Sequence, residues 1–217
     1  MENTYKLNYF EGNGRASNIR AILDYSKAKW EQVFINFGEW PALKASGKFE
    51  NGQLPVLEVN GKQYTQTIAI ETYLAKLFGL MGSNAEEEYQ INNILCSRED
   101  YTKPLFEFIM PSEEQKTRRE AIIKNLAENV LPNLAAKYEA KYVANGAGKY
   151  FLGDKFSLAD IFFATTFTQI FEQSNLKEFF GSVPSKSAPK LAELIKRIKS
   201  EELNNYFDKT YIKTSIF

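Results

Sequence analysis

Apolar and polar residues alternate from Tyr5 to Phe10, with Tyr5, Leu7 and Tyr9 on one face, which is the period of a half-buried strand. The loop Glu11-Gly12-Asn13-Gly14 ends that pattern. Residues 15–25 then follow a helical period, with Ile19, Ile22 and Leu23 as the buried stripe. Residues 30–37 read as a second strand, parallel to the first if the helix between them is a crossover. A short irregular helical turn is expected over 40–45. Residues 54–59 and 62–65 form a hairpin across Asn60-Gly61, a strong two-residue turn signal. A helix over 66–78 closes the unit. The order βαβ-ββα predicts a compact α/β domain over residues 1–79.

Beyond a linker at 79–84 the pattern becomes helical throughout, predicting an all-α domain over residues 85–217. One long helix is expected from 85 to about 110, bent where Pro104 removes a backbone donor. A second runs over 113–142. Ser157-Leu158-Ala159-Asp160 reads as a capping box ahead of an apolar run, so a third helix spans 157–174. A fourth covers 189–199.

Composition narrows the chemistry. The chain has 217 residues, long enough for a sizeable core, with 27 basic and 27 acidic side chains and so no net charge. Nothing in that balance attracts a polyanion, which argues against nucleic acid. No apolar run reaches the roughly 18 residues of a membrane span, and the first ten residues do not resemble a secretory signal. A cytoplasmic protein is expected. There is no histidine, which removes Ser-His-Asp and Cys-His nucleophile systems and the commonest metal ligand, so no metal is expected. The single cysteine, Cys96, rules out an internal disulfide and reads as a small buried apolar residue.

The segment GQLPVLEVNGKQYTQTIAIETYLAK, residues 52–76, is the most informative stretch. Strand, turn, strand and helix bring an extended backbone edge at Pro55 and a helix N-terminus at Gln66-Thr67 towards one point. A small peptide-like ligand with a free carboxylate would use both. Thr67 also reads as a plain N-cap, which needs no ligand. Tyr9 reads either as a core tyrosine or as a neutral donor to an anion. A thiol of ordinary pKa near 8.5 is only about 3% thiolate at pH 7. Lowering that pKa by about two units requires roughly 2.7 kcal/mol, of which one charge-assisted hydrogen bond supplies about half or more.

YKLNYFEGNGRASNIRAIL, EWPALK, GQLPVLEVNGKQYTQTIAIETYLA and FSLADI, in this order and spacing, resemble the blocks of the cytosolic glutathione transferases, and the first of them resembles the sigma-like class. The resemblance covers nearly the whole chain, most strongly residues 5–82. It implies a thioredoxin-like N-terminal domain that binds glutathione as co-substrate and a helical domain that lines the hydrophobic substrate site. It implies Tyr9 as the catalytic donor to the glutathione thiol, with Arg15 supporting it electrostatically or orienting it. A cis Pro55 would turn the Leu54 amide and carbonyl outward to pair with the cysteinyl part, with Gln53 beside them. Gln66 and Thr67 would hold a glutathione carboxylate, although the family pair is usually Gln-Ser. Trp40 and Lys44 would meet the glycine end; by spacing alone they are a core tryptophan and a solvated lysine. Asp100 would reach the γ-glutamyl amine in a neighbouring subunit, which requires a homodimer; by itself Glu99-Asp100 is a solvated acidic pair. Phe10, Phe106 and Phe217 would contribute to the hydrophobic site.

The implied reaction is conjugation of glutathione to small hydrophobic electrophiles. The alternatives are a glutathione-dependent isomerase or peroxidase, or a catalytically weak crystallin-like or glutathione-binding protein on the same fold. Relatives that make prostaglandin D2 carry a carboxylate cluster where this chain has Cys96 and Ser97, a departure that speaks against that activity.

Overall fold

The computed structural model describes residues 3–213. They form two compact units, one reaching to Met81 and resuming at Lys199, the other spanning Gly82–Ile198.

The first unit is built on β1 (Tyr5–Phe10), α1 (Ser17–Tyr25), β2 (Trp30–Ile35), α2 (Trp40–Ala45), β3 (Val56–Val59), β4 (Lys62–Tyr64) and α3 (Thr67–Leu77). The sheet order is β2-β1-β3-β4. β1 runs parallel to β2, with Tyr9 opposite Phe34, and antiparallel to β3, with Asn8 opposite Val56. This is the expected βαβ-ββα. The right-twisted crossover through α1 makes β1 and β2 parallel, whereas the two-residue hairpin makes β3 and β4 antiparallel. Asn60 and Gly61 both have positive φ, at 50° and 83°, as a twist-matched hairpin requires.

The stripe of α1 is where the sequence placed it: Ile19, Ile22 and Leu23 are fully buried. They share the core with Leu7, Leu57 and Leu74, and α1 packs against α3. A second cluster, of Ile35, Phe49 and Val56, holds Phe10, Val33, Trp40, Leu43 and Leu54 against it.

The chain from Lys199 onward departs from the expected division, in which residues 85–217 are one domain. It packs with the first unit instead, because its anchors lie on α1 and the loop before it. Tyr206 is buried with its hydroxyl 2.7 Å from that of Ser17. The Asn13 carboxamide pairs with both backbone groups of Ile212, donating to the carbonyl at 2.8 Å and accepting from the amide at 3.1 Å. The Thr210 hydroxyl meets Asp24, which also accepts from Trp30 Nε1 at 3.1 Å.

The second unit is helical: α4 (Ala85–Cys96), α5 (Glu99–Ile109), α6 (Glu113–Lys116), α7 (Arg119–Asn125), α8 (Leu131–Ala144), α9 (Leu158–Phe167), α10 (Ser174–Phe180), α11 (Val183–Ser187) and α12 (Pro189–Glu201), whose last residues run on into the first unit. Two of the expected long helices are broken. The first breaks at Ser97-Arg98 rather than bending at Pro104. A proline disturbs the turn before it, and here the amides of Arg98, Asp100 and Tyr101 turn to carbonyls three residues back. Ser97 Oγ reinforces the break by donating to the Ile94 carbonyl at 2.6 Å. The second divides into α6, α7 and α8, and a widened five-residue turn, Leu126–Val130, precedes Pro132. The third is helical over Leu158–Phe167 and ends in a similar widened turn, Thr168–Glu172.

α9 is buried on every side and has no solvent face to carry its polar start. Asp160 supplies it. One carboxylate oxygen accepts from the Phe151 amide at 2.8 Å; the other accepts from the Ser157 amide at 2.9 Å and the Ser157 hydroxyl at 3.0 Å. Burial pushes the Asp160 carboxyl up to about 6, against the lowering effect of the Phe151 and Ser157 amides.

Asp160→Asn puts an amide where two backbone donors point and should cost about 1–3 kcal/mol. The sign of the pH dependence follows from the raised folded value. Between about 4 and 6 the folded state binds the proton that the unfolded state releases, so stability rises as pH falls through 6. The wild-type minus Asp160→Asn difference in unfolding free energy should therefore grow between pH 7 and 4.5 in denaturant titrations. A difference that is flat or shrinks removes Asp160 as the titrating group.

Candidate active site

Tyr9 is the penultimate residue of β1, and its ring is nearly buried against Phe10 at 5.6 Å. Its hydroxyl oxygen accepts a hydrogen bond from the Arg15 backbone amide at 3.1 Å. A short 3-10 turn, Gly14–Ala16, carries that amide in front of α1. Gly14 makes the approach possible. It has φ +38°, and a Cβ there would lie 2.5 Å from the Tyr9 oxygen. The glycine before Arg15 was visible in the sequence as part of a loop, but the reason for it is the phenol it makes room for.

Arg20 is the residue that sequence reasoning missed. It is 1% exposed in the middle of the buried run Ile19–Leu23. Its guanidinium donates to the Gly12 carbonyl at 2.6 Å, to the Phe10 carbonyl at 3.4 Å and, through Nε, to Gln32 Oε1 at 2.7 Å. Its Cζ lies 5.8 Å from the centroid of the Tyr9 ring. Burial lowers the guanidinium's pKa, an effect opposed by the Tyr206 and Tyr9 phenols. The signal that could have found it is a charged residue inside an apolar stripe, since an arginine there has to be held by specific partners.

The β3 side presents the other candidate residues of this unit. The Leu54–Pro55 peptide is cis, Pro55 is buried, and Leu54 packs on the Ile35–Phe49–Val56 cluster. Gln53 is exposed at the turn before it. Trp40 opens α2 edge-on to Phe10, ring centroids 5.7 Å apart, with Phe49 at 6.1 Å. The stem of Lys44 lies beside Gly52, where a Cβ would be 3.5 Å from its Cγ, so the lysine stays close to the 52–55 backbone. Phe10 is stacked on Phe37 at 4.3 Å.

At α3 the capping residue is Gln66, not Thr67. The Gln66 carbonyl accepts the first intrahelical bond, from Ile70 at 2.9 Å, which leaves Thr67 buried as the first helical residue. Gln66 reaches this position at φ 68°, a region uncommon for a residue with a Cβ. The Gln66 side chain makes no capping hydrogen bond, so the positive end of the α3 dipole lies beside an exposed Gln66.

Asp100 and Phe106 lie in the second unit. Asp100 is exposed in the first turn of α5 and borders a cavity of about 230 Å³ with Asn129, Val130, Asn133, Leu134 and Lys137. Phe106 is 41% exposed on the same helix. Cys96 is exposed at the end of α4, not buried as its residue type suggested, because the helix ends there with its buried face made by Ile91, Ile94 and Leu95. Phe217 lies outside the described residues. Among the described residues no group of three histidine, cysteine or acidic side chains could hold a metal ion, and no helix is long and apolar enough to cross a membrane.

Residues 5–76 match the family model of the glutathione S-transferase N-terminal domain, and residues 99–210 match that of the C-terminal domain. A probable glutathione S-transferase 7 of Caenorhabditis elegans is 35% identical over 163 residues, 74% of this chain and 77% of the relative. The sigma-class glutathione transferase of Fasciola hepatica superimposes with a TM-score of 0.80 at 29% identity, covering 95% of this chain and 96% of the other. A prostaglandin D synthase structure of Nilaparvata lugens gives 0.79 at 27% identity, over 95% and 98%. The chain belongs to the glutathione S-transferase family and is a glutathione transferase with glutathione as co-substrate.

Proposed function

We propose that the protein is a sigma-like glutathione transferase, cytoplasmic and homodimeric, in which Tyr9 activates the glutathione thiol for attack on small hydrophobic electrophiles. The observation that carries this reading is the Arg15 amide on the Tyr9 oxygen. A phenol that accepts from an amide is polarised into a stronger donor, and its single proton is what it can offer to a sulfur anion. The thiol proton leaves to solvent, the thiolate is held by the phenol O–H, and the new C–S bond forms as the leaving group departs or the acceptor double bond takes the electron pair.

The rest of the tripeptide has matching features in the N-terminal unit, which takes the role of glutathione-binding domain. The Leu54 backbone lies ahead of β3 and supports strand-like pairing with the cysteinyl part. The α3 N-terminus beside Gln66 and Thr67 suits a carboxylate. Trp40 and Lys44 suit the glycine end, Lys44 as counter-ion. Asp100, exposed on its own unit, suits the γ-glutamyl amine of a partner's glutathione. The helical domain, through residues such as Phe106, takes the electrophile.

Conjugation is favoured over isomerisation of the prostaglandin type by the break after α4. Cys96 and Ser97 stand there instead of acids, and the Ser97 hydroxyl is already engaged with Ile94 and, at 2.6 Å, with Tyr138.

Replacing Tyr9 with Phe should lower kcat/KM for glutathione and a dinitrobenzene halide by about 10- to 100-fold, the worth of one charge-assisted hydrogen bond, with the circular dichroism spectrum unchanged. If the rate survives, the activator is not Tyr9. Asp100→Ala should weaken glutathione binding about three- to tenfold in calorimetry, while sedimentation still shows a dimer. Unchanged affinity would sink the cross-subunit role.

A further inference from the structure

Arg20 is a buried cation whose hydrogen-bond partners are all neutral. They are two peptide carbonyls, of Phe10 and Gly12, and the carboxamide of Gln32, whose own nitrogen is committed to the Leu7 and Val33 carbonyls at 3.0 and 3.1 Å. No carboxylate is among its hydrogen-bond partners: on α3, which packs against α1, the fully buried Glu71 does not bond the guanidinium. On β2, Glu31 pairs with Lys6 across the strands at 3.7 Å. On α1, Asp24 is engaged by Trp30 and Thr210. From β1 and the C-terminal segment the groups that face it are the phenols of Tyr9 and Tyr206. A guanidinium stripped of water is ordinarily matched with an acid. Here the unmatched positive field falls on Tyr9.

We propose that Arg20 is a positioning residue for thiol activation: its unneutralised charge behind the Tyr9 ring favours negative charge at the Tyr9 hydroxyl and its sulfur partner, and its bonds to Phe10 and Gly12 fix the turn that delivers the Arg15 amide. The inference rests on the reading of Tyr9 given above. Because the charge is fixed in place before the reaction, it favours the anion without reorganisation. A staple that acts only through its bonds would fail alike in the glutamine and lysine variants, whereas an effect of the charge is restored by lysine.

The test compares wild type, Arg20→Gln, Arg20→Lys and Tyr9→Phe in two titrations. In the first, the ultraviolet absorbance of the thiolate follows bound glutathione against pH. Arg20→Gln should move that transition up by about one pH unit, a tenfold loss of thiolate at neutral pH, and Arg20→Lys should restore most of it. In the second, without glutathione, the Tyr9 phenol is identified as the transition missing from Tyr9→Phe, and Arg20→Gln should move it to higher pH. If the folded Gln and Lys variants lose kcat equally with neither transition displaced, Arg20 is a staple only and the proposal is overturned. Should Arg20→Gln not fold, the unmodified protein decides: Tyr9 must ionise ahead of the other phenols, and ionisation with or after them overturns the proposal. An unmodified protein that forms no thiolate would defeat the glutathione reading, while the ligand-free phenol titration would still judge Arg20.

Discussion

One hydrogen bond, from the Arg15 amide to the Tyr9 oxygen, joins the end of β1 to the approach of α1, and much of the N-terminal unit serves to make it possible. Only three residues, Glu11, Gly12 and Asn13, lie between the end of β1 and the 3-10 turn that begins at Gly14, so the phenol and the amide must share a tight turn. Gly14 gives the turn a positive φ and leaves room for the oxygen. Arg20 gathers the Phe10 and Gly12 carbonyls from below, and Asn13 is fully buried between its own turn and Ile212. Each holds the turn from a different side. Remove any one and the amide loses its aim before the core loses much area.

The sheet supplies the second half of the site by a different logic. β1 is a central strand, paired on both edges, so Tyr9 projects from the most constrained part of the fold. The cis peptide at Leu54–Pro55, the Lys44 stem over Gly52 and the positive φ of Gln66 all sit where elements begin or end. The positive φ of Gln66 costs free energy that a packed surround offsets, and the two clusters on either face of the sheet provide it. Rigid elements thus carry the donor, while the irregular joints between them carry the backbone groups that a peptide ligand would read.

Much of this was legible in the residues themselves. Alternation gave β1, the stripe Ile19-Ile22-Leu23 gave α1, and Asn60-Gly61 gave the hairpin, because each is a local signal with a local cause. Thr67 reads as the cap because a hydroxyl is the better capping group, whereas the structure caps α3 with Gln66 at a positive φ that no local preference favours. The breaks at Ser97-Arg98 and before Pro132 were not legible, since period alone cannot say which turn a proline will disturb. Arg20 was hidden for another reason. Its partners are carbonyls of a turn whose geometry no sequence pattern expresses. Within the candidate site, the sequence singles out Tyr9, Arg15 and Pro55 as residues, but not that the Arg15 backbone amide is what meets the Tyr9 oxygen.

The return of the chain to the first unit after Lys199 has a consequence for how that unit comes into being. Its core includes Tyr206, and the turn before α1 is tied to Ile212, so a fragment stopping at Met81 lacks part of its own interior. During synthesis the sheet can assemble early, but the turn that aims the Arg15 amide stays without its last support until more than a hundred further residues have been made, as the second unit spans Gly82–Ile198. Alignment of the Tyr9 phenol with the Arg15 amide is therefore coupled to synthesis of the segment after Lys199, and a nascent or clipped N-terminal piece would hold a phenol without its full alignment.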